Sequence, residues 1–265
     1  AFFDGLSDEA FALVNADDRR GSVMVQNTRA KVYTFSTQQM ADFKAKLLAS
    51  TLQGMQLLIN GKDVWVRLIG LFNVSNLLAV YGTAVLLDED EENVLTELSS
   101  LLPPPGRFEV VFDSLSEVTG IVDYAHTPDA LENVLSTIAQ LRTHNEKVIT
   151  LVGCGGNRDR AKRPKMASIA CRYSDIAIFT SDNSRNEDPE TIIEEMKAGV
   201  HPIDFKKTKS IIDRREAIRW AVKQATKGDI ILVAGKGHET YQEVKGVRTH
   251  FDDKEELKAA FNTSE

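Results

Sequence analysis

The apolar positions of this chain fall into two regimes. In the first hundred residues FALVN (Phe11–Asn15) is a short continuous apolar run of the kind that makes a buried strand, and the NADDRRG that overlaps its end has turn chemistry. LQGMQLLINGKDVWVRLIG holds two strand-like runs around Asn60-Gly61, the favoured pair for a two-residue hairpin because both positions need positive φ. That piece is expected to be antiparallel. Over 73–100 the period turns helical, through NLLAVYGTAVLL and ENVLTELSSLL. Three consecutive prolines in LLPPPGR cannot continue a helix, which puts a domain boundary near residues 103–107.

Beyond the prolines, strands and helices alternate. TGIVDYA reads as a strand entering a turn. Thr127 suits the cap of the next helix and Pro128 its first position. Ala130, Leu131, Val134, Leu135, Ile138 and Leu141 then form a stripe at helical spacing. KVITLVG, DIAIFTS and DIILVAG are further strands, with helices expected over 165–173, 190–198 (ended by Gly199) and 214–226. The pattern predicts an α/β fold, a mostly parallel Rossmann-like sheet with helices on both faces, preceded by a small antiparallel sheet plus helices. In such sheets ligands gather at the carboxyl ends of the strands, where four loops lie.

The composition of the 265 residues, with 42% hydrophobic and 27% charged, is that of a globular protein large enough for one or two cores. A net charge of −7 gives no electrostatic reason to bind nucleic acid or an anionic membrane. No stretch approaches the ~20 apolar residues that a membrane span needs. The opening AFFDGLSDEAF lacks the layout of a signal peptide. Cys154 and Cys171 alone make neither a disulfide framework nor a zinc site, so a reduced cytoplasmic protein is expected.

The four loops carry the chemistry. In DYAHTP, Asp123 can accept ribose hydroxyls and His126 stands where a helix start greets a phosphate, or the two merely cap the turn. GCGGNRDRAKRPKM pairs three glycines with a basic cluster. It is neither GxGxxG nor a Walker A loop, and it suits a carboxylate or phosphate or else is a solvated turn. TSDNSRNEDP offers Asn183 as donor and acceptor, Arg185 as a carboxylate clamp, and Asp182, Glu187 and Asp188 as cation acceptors. AGKGHETYQ offers close backbone approach at Gly235 and Gly237, and the anion Glu239. Both signs of charge on adjacent loops suit a zwitterion such as an amino acid.

VNADD, GLFNVSNLLA, GRFE, IVDYAHTPDALENVL, GCGGNRDRAKRPKMA, TSDNSRNEDP and AGKGHE together resemble the Mur ligases, and among them the branch that adds the third, diamino-acid residue of the peptidoglycan stem peptide. The resemblance implies ATP-dependent amide formation with magnesium, in which the D-glutamate carboxylate of UDP-MurNAc-L-Ala-D-Glu becomes an acyl phosphate attacked by an amine. It implies that 1–104 is the C-terminal part of the central ATP-binding domain and 105–265 the C-terminal Rossmann-like domain. Asn73 and Asn76 match positions that read adenine, Arg107 and Asp123 positions near the ribose, and His126 lies on the phosphate side. Arg158, Asp182, Asn183, Arg185, Gly235 and Glu239 fall in the pocket for meso-diaminopimelate. There Arg185 would clamp the distal carboxylate, and Glu239 with the Gly235 carbonyl the distal ammonium.

Two departures qualify the match. Ser184 stands where the family's Asp-Asn-Pro-Arg signature has proline, which frees φ there. The family's P-loop, metal ligands and sugar-binding domain have no counterpart in these residues, so the chain is expected to be a C-terminal fragment, inactive without the missing N-terminal domains and lacking catalytic residues of its own. A lysine-adding ligase would lack the arginine at 185. The loop DNSRNEDP argues against folylpolyglutamate synthetase and other Mur ligases. A non-catalytic amino-acid or nucleotide-binding module stays open as another class. An ordinary Rossmann oxidoreductase is disfavoured by the lack of GxGxxG.

Overall fold

A computed structural model describes residues 2–263 and divides the chain after Leu102 into two compact units. The first opens with a 3-10 turn (Phe3–Gly5), followed by β1 (Phe11–Asn15), α1 (Arg19–Met24), β2 (Lys31–Ser36), β3 (Phe43–Thr51), β4 (Gly54–Ile59), β5 (Lys62–Val66), α2 (Leu71–Leu86) and α3 (Glu91–Ser100). Its strands form one sheet in the order β1-β2-β3-β4-β5. The β4–β5 hairpin turns at Asn60 and Gly61 with φ of 46° and 84°, as the Asn-Gly pair requires. The sheet is nevertheless mixed, because β1, β2 and β3 run parallel. β2 and β3 escaped the hydrophobic pattern because few of their residues are buried, Phe35 and Ser36 in β2 and Phe43 and Ala45 in β3.

NADDRRG is a turn that also starts a helix. The Asp18 carboxylate accepts the Arg20 N–H and caps α1, while Asp17 accepts from the Ser36 hydroxyl and from Thr37 N–H, tying the turn to the end of β2. Over the sheet, α2 packs on β1, β2 and β3, and its Val74, Leu77, Leu78 and Tyr81 belong to one buried core with Met55, Leu57 and Ile59 of β4. Tyr81 meets the Phe43 ring edge-on at 5.8 Å, and Gly82 allows that closeness, since a Cβ there would lie 2.8 Å from the same ring.

The second unit contains β6 (Glu109–Asp113), β7 (Val118–Asp123), α4 (Pro128–Leu141), β8 (Val148–Val152), α5 (Lys162–Tyr173), β9 (Ile176–Phe179), α6 (Pro189–Lys197), a 3-10 stretch (Pro202–Lys207), β10 (Thr208–Ser210), α7 (Arg214–Gln224), β11 (Ile230–Ala234), β12 (Tyr241–Val244), β13 (Val247–His250) and α8 (Asp253–Asn262). The main sheet has the order β10-β9-β8-β11-β7-β6, parallel except for β6. β7, β8 and β11 are buried along their whole length, which is why they read as predominantly apolar runs without an alternating polar face. α4, α5 and α6 pack in one row, and α7 packs on α8. β12 and β13 form a separate two-stranded hairpin.

One ion pair lies inside this unit. Arg214, the first residue of α7, is fully buried and grips Asp253, the first residue of α8, through Nε and Nη2 at 2.7 Å each. Nη2 also donates to the Ala234 carbonyl at 3.0 Å, and Nη1 to the Ser181 carbonyl at 3.4 Å. The guanidinium therefore joins two helix starts to the ends of β9 and β11, beside the loops that the fold leaves for ligands. Arg214→Ala, which strands a buried carboxylate, is expected to destabilise this unit by about 3–5 kcal/mol in urea unfolding; a loss below about 1 kcal/mol would contradict that role.

Candidate functional site

The loops leaving β7, β8, β9 and β11 close around one cavity of about 490 Å3. After β7, Thr127 accepts the Ala130 N–H at 3.3 Å with Pro128 in the first turn, so α4 starts as its sequence requires. Asp123 is buried and accepts the Phe108 N–H at 2.7 Å. Burial pushes its carboxyl up, against the opposing pull of the Phe108 N–H, Arg107 and the Ala125 N–H. The Arg107 guanidinium lies 4.8 Å from the centre of the Tyr124 ring, which in turn contacts the rings of His126 at 4.5 Å and His238 at 4.9 Å. His126 Nδ1 is hydrogen-bonded to the Tyr124 carbonyl at 2.9 Å.

After β8, the glycines serve close approach of two loops. A Cβ at Gly156 would sit 1.9 Å from the Ser184 carbonyl oxygen, and the Gly156 N–H donates to the Asn183 carbonyl at 2.9 Å. The basic cluster divides its labour. Arg163, fully buried, donates from Nη1 to Glu187 Oε2 at 2.9 Å and Glu195 Oε2 at 2.7 Å, and from Nη2 to Glu187 Oε1 at 3.0 Å. Arg160 Nη2 adds a bond to Glu187 at 2.9 Å. Arg158 is exposed and lines the cavity, and Lys162, also on its wall, donates to the His126 carbonyl at 2.8 Å.

After β9, the acids of the opening loop part company. Glu187 is held by Arg163 and Arg160, and Asp188 caps α6 by accepting the Glu190 N–H at 2.9 Å. Of the three offered as cation acceptors, only Asp182 faces the cavity. Asn183 is the hub of the site. Its Nδ2 donates to Glu239 Oε2 at 2.8 Å, while its Oδ1 accepts the Glu243 N–H at 2.9 Å and Lys236 Nζ at 3.3 Å. Arg185 is half-buried and donates from Nη1 to the Gly156 carbonyl at 2.9 Å. The Ser184 hydroxyl is buried without a hydrogen-bond partner.

After β11, Gly235 has φ of 118°, which strains any other residue, and a Cβ there would press on Asp182 Oδ2 at 3.0 Å. Lys236 is fully buried. Its ammonium reaches Asn183 Oδ1, Glu239 Oε2 at 3.3 Å and the Tyr241 carbonyl, which uses all three of its donors. The cavity wall thus brings together Arg158, Asp182, Asn183, Arg185, Gly235 and Glu239, with His126 beside them. Arg107 and Asp123 adjoin it through Tyr124 and β7 without lining it. Asn73 and Asn76 belong to the first unit, at the start of α2, where Asn73 Nδ2 donates to the Ile69 carbonyl at 2.8 Å and Asn76 Nδ2 to Asn73 Oδ1 at 3.2 Å. Sequence reasoning missed Lys236, Arg163 and Tyr241. A lysine between two glycines directly after an apolar strand was the available signal for the first.

Neither thiol is a nucleophile at neutral pH, because burial pushes Cys154 up to about 12 and Cys171 up to about 11. The cavity instead sets guanidinium and ammonium groups against carboxylates within one polar shell, a distribution of charge complementary to a small zwitterion.

Comparison with known proteins agrees with this architecture. Residues 106–237 match the Mur ligase, glutamate ligase domain, and residues 1–84 the Mur ligase middle domain. The chain belongs to the Mur ligase family. A UDP-N-acetylmuramoyl-L-alanyl-D-glutamate–2,6-diaminopimelate ligase from Cytophaga hutchinsonii is 58% identical over 262 residues, which cover 99% of this chain and 54% of that relative. A ligase of the same name from Bacteroides thetaiotaomicron is 57% identical over 261 residues, 98% of this chain and 54% of the relative. A solved structure, again of a ligase so named, is 38% identical with a TM-score of 0.66 and covers 96% of this chain and 53% of its own. The chain spans about half the length of the curated relatives it matches.

Two outcomes are expected. Ser184→Ala removes a buried hydroxyl that has no partner, and should leave stability unchanged or raise it by up to about 1 kcal/mol in thermal unfolding. The hydrogen bonds from Arg163, with the Asn157 N–H, hold the Glu187 carboxyl at about 2, below its ordinary 4.5. A depressed folded-state value contributes stability above the unfolded value and loses it as pH falls. Unfolding measured from pH 5 down to pH 2 should therefore show a decline in that window that Glu187→Gln makes shallower; an identical slope in the variant would rule the pair out as its source.

Proposed function

We propose that this chain supplies the amino-acid pocket and part of the nucleotide site of an ATP-dependent ligase that joins meso-diaminopimelate to UDP-MurNAc-L-Ala-D-Glu in peptidoglycan synthesis, a cytoplasmic reaction of soluble substrates. One observation carries the reading. A partly free guanidinium, Arg185, shares a cavity with the carboxylates Asp182 and Glu239 and with the donor-acceptor face of Asn183. A diamino acid with two carboxylates presents the complementary set. Arg185 takes the distal carboxylate, Asp182 and Glu239 face the distal ammonium, and Arg158 with Lys162 adds positive charge at the opposite sign's end of the ligand.

In the reaction proposed, the D-glutamate carboxylate, activated as an acyl phosphate, is attacked by the neutral amine of the ligand. The amide bond forms, phosphate leaves with the electron pair of the broken C–O bond, and the amine nitrogen gives up a proton. ATP supplies the phosphoryl group when bound. Asn73 and Asn76 in the first unit and Arg107, Asp123 and His126 in the second are each matched to it by the resemblance; within the second unit the Asp123 carboxylate also accepts the Phe108 N–H. Among the described residues no group of three or more His, Cys, Asp or Glu side chains is placed to hold a metal ion. Nor do these residues contain a Gly-Lys-Ser/Thr phosphate loop, and ligation is assigned to the longer protein.

The alternative ligand is L-lysine, which lacks the second carboxylate and would leave Arg185 facing nothing. Calorimetric titration of the chain distinguishes them. Meso-diaminopimelate should bind, L-lysine should bind at least about tenfold more weakly, and Arg185→Ala should remove the difference. Lysine binding as well as diaminopimelate would overturn the specificity, and binding of neither would overturn the claim that the pocket is formed in this chain.

A further inference from the structure

Arg185 adopts a left-handed backbone, with φ of 51°. That conformation is strained for a long side chain and persists where the surroundings over-determine it. Here the surroundings are the β12–β13 hairpin. The Arg185 N–H donates to the Glu243 carbonyl at 3.0 Å and its own carbonyl accepts the Lys245 N–H at 2.6 Å, so the residue pairs with Val244 as a one-residue parallel strand. The same hairpin grips the preceding residues. Glu243 N–H donates to Asn183 Oδ1 at 2.9 Å, and Gln242 Nε2 to Ser181 Oγ at 3.0 Å and the Asp182 carbonyl at 3.3 Å. At the hairpin's base Lys236 holds the Tyr241 carbonyl.

The side chain is aimed as a result. Arg185 Nη1 is anchored on the Gly156 and Asn183 carbonyls, while among the described residues Nε and Nη2 donate to no protein acceptor. The hairpin itself closes through Lys245 and Gly246, with φ of 50° and 78°, the pattern of a type I′ turn. A two-stranded hairpin is marginal by itself, so the turn and the loop it pairs with stand or loosen together. It also follows residue 237, where the family match ends.

We propose that the β12–β13 hairpin is the positioning element of Arg185: by pairing with its backbone it presents the free guanidinium edge to a second carboxylate, so that turn residues which never touch the ligand set the preference for a diamino acid with two carboxylates over one with a single carboxylate. This rests on the amino-acid pocket proposed above.

Gly246 gives the test. A Cβ there meets nothing within 4 Å, so a substitution acts through backbone strain alone. Gly246→Val forces a β-branched residue into the left-handed region, whereas Gly246→Asn keeps a residue that tolerates it. In the ligand-free chain, amide hydrogen exchange at Arg185 should accelerate about tenfold or more in the valine variant and be rescued by asparagine. By calorimetry the valine variant should lose about tenfold in affinity for meso-diaminopimelate while L-lysine changes less than about twofold, and this loss should vanish in an Arg185→Ala background. Unchanged exchange at Arg185 in Gly246→Val, or an equal loss for both ligands, would overturn the positioning role. Should the unmodified chain bind neither amino acid, the pocket reading fails on that result, and the exchange measurement alone decides whether the hairpin positions Arg185.

Discussion

The second unit depends on one guanidinium placed where water cannot reach it. Arg214 carries a full charge into the interior, and its cost is offset because Asp253 meets it through two hydrogen bonds while the Ala234 and Ser181 carbonyls take up further donors. Arg214 and these three partners come from two helix starts and two strand ends. Their common point lies next to Asp182 and Gly235, which line the cavity. Positions of the loop ends after β9 and β11 are therefore set from beneath by a buried ion pair, and the charges above it inherit that register.

Above the pair, charges are distributed so that few are free. Glu187 is matched by Arg163 and Arg160, and Asp188 caps a helix. Glu239 is bonded by Asn183 and Lys236 before any ligand arrives. The pocket is thus a preorganised polar shell, in which a ligand meets groups already held in place and little ordering remains to oppose binding. Asn183 is central because an amide both donates and accepts. It links the acid Glu239, the cation Lys236 and the backbone of the hairpin in one residue.

Much of this was legible in the chain. The largely apolar runs of β7, β8, β9 and β11, the Thr127-Pro128 helix start and the Asn60-Gly61 turn rest on local rules that distant residues seldom override. Less was legible where one face of a strand meets solvent. β2 and β3 have too few buried positions to announce themselves, and β12–β13 has hardly any. The hairpin's contribution is carried by backbone hydrogen bonds, which no side-chain pattern records.

By itself the sequence determined the alternation of the buried strands β7, β8, β9 and β11 with their helices, the break at the prolines, and the four loops that carry charge, because periodicity, caps and turns act over a few neighbouring residues. Tertiary structure alone decided which of those charges are available. Arg163 and Arg158 stand in the same basic loop, yet one is buried against Glu187 and Glu195 and the other lines the cavity. Lys236 reads as one residue in a glycine turn until Asn183, 53 positions away in the chain, is brought to its ammonium. The difference is physical: a charge acquires its role from the partners that desolvation forces upon it, and those partners come from strands that only the folded sheet sets side by side.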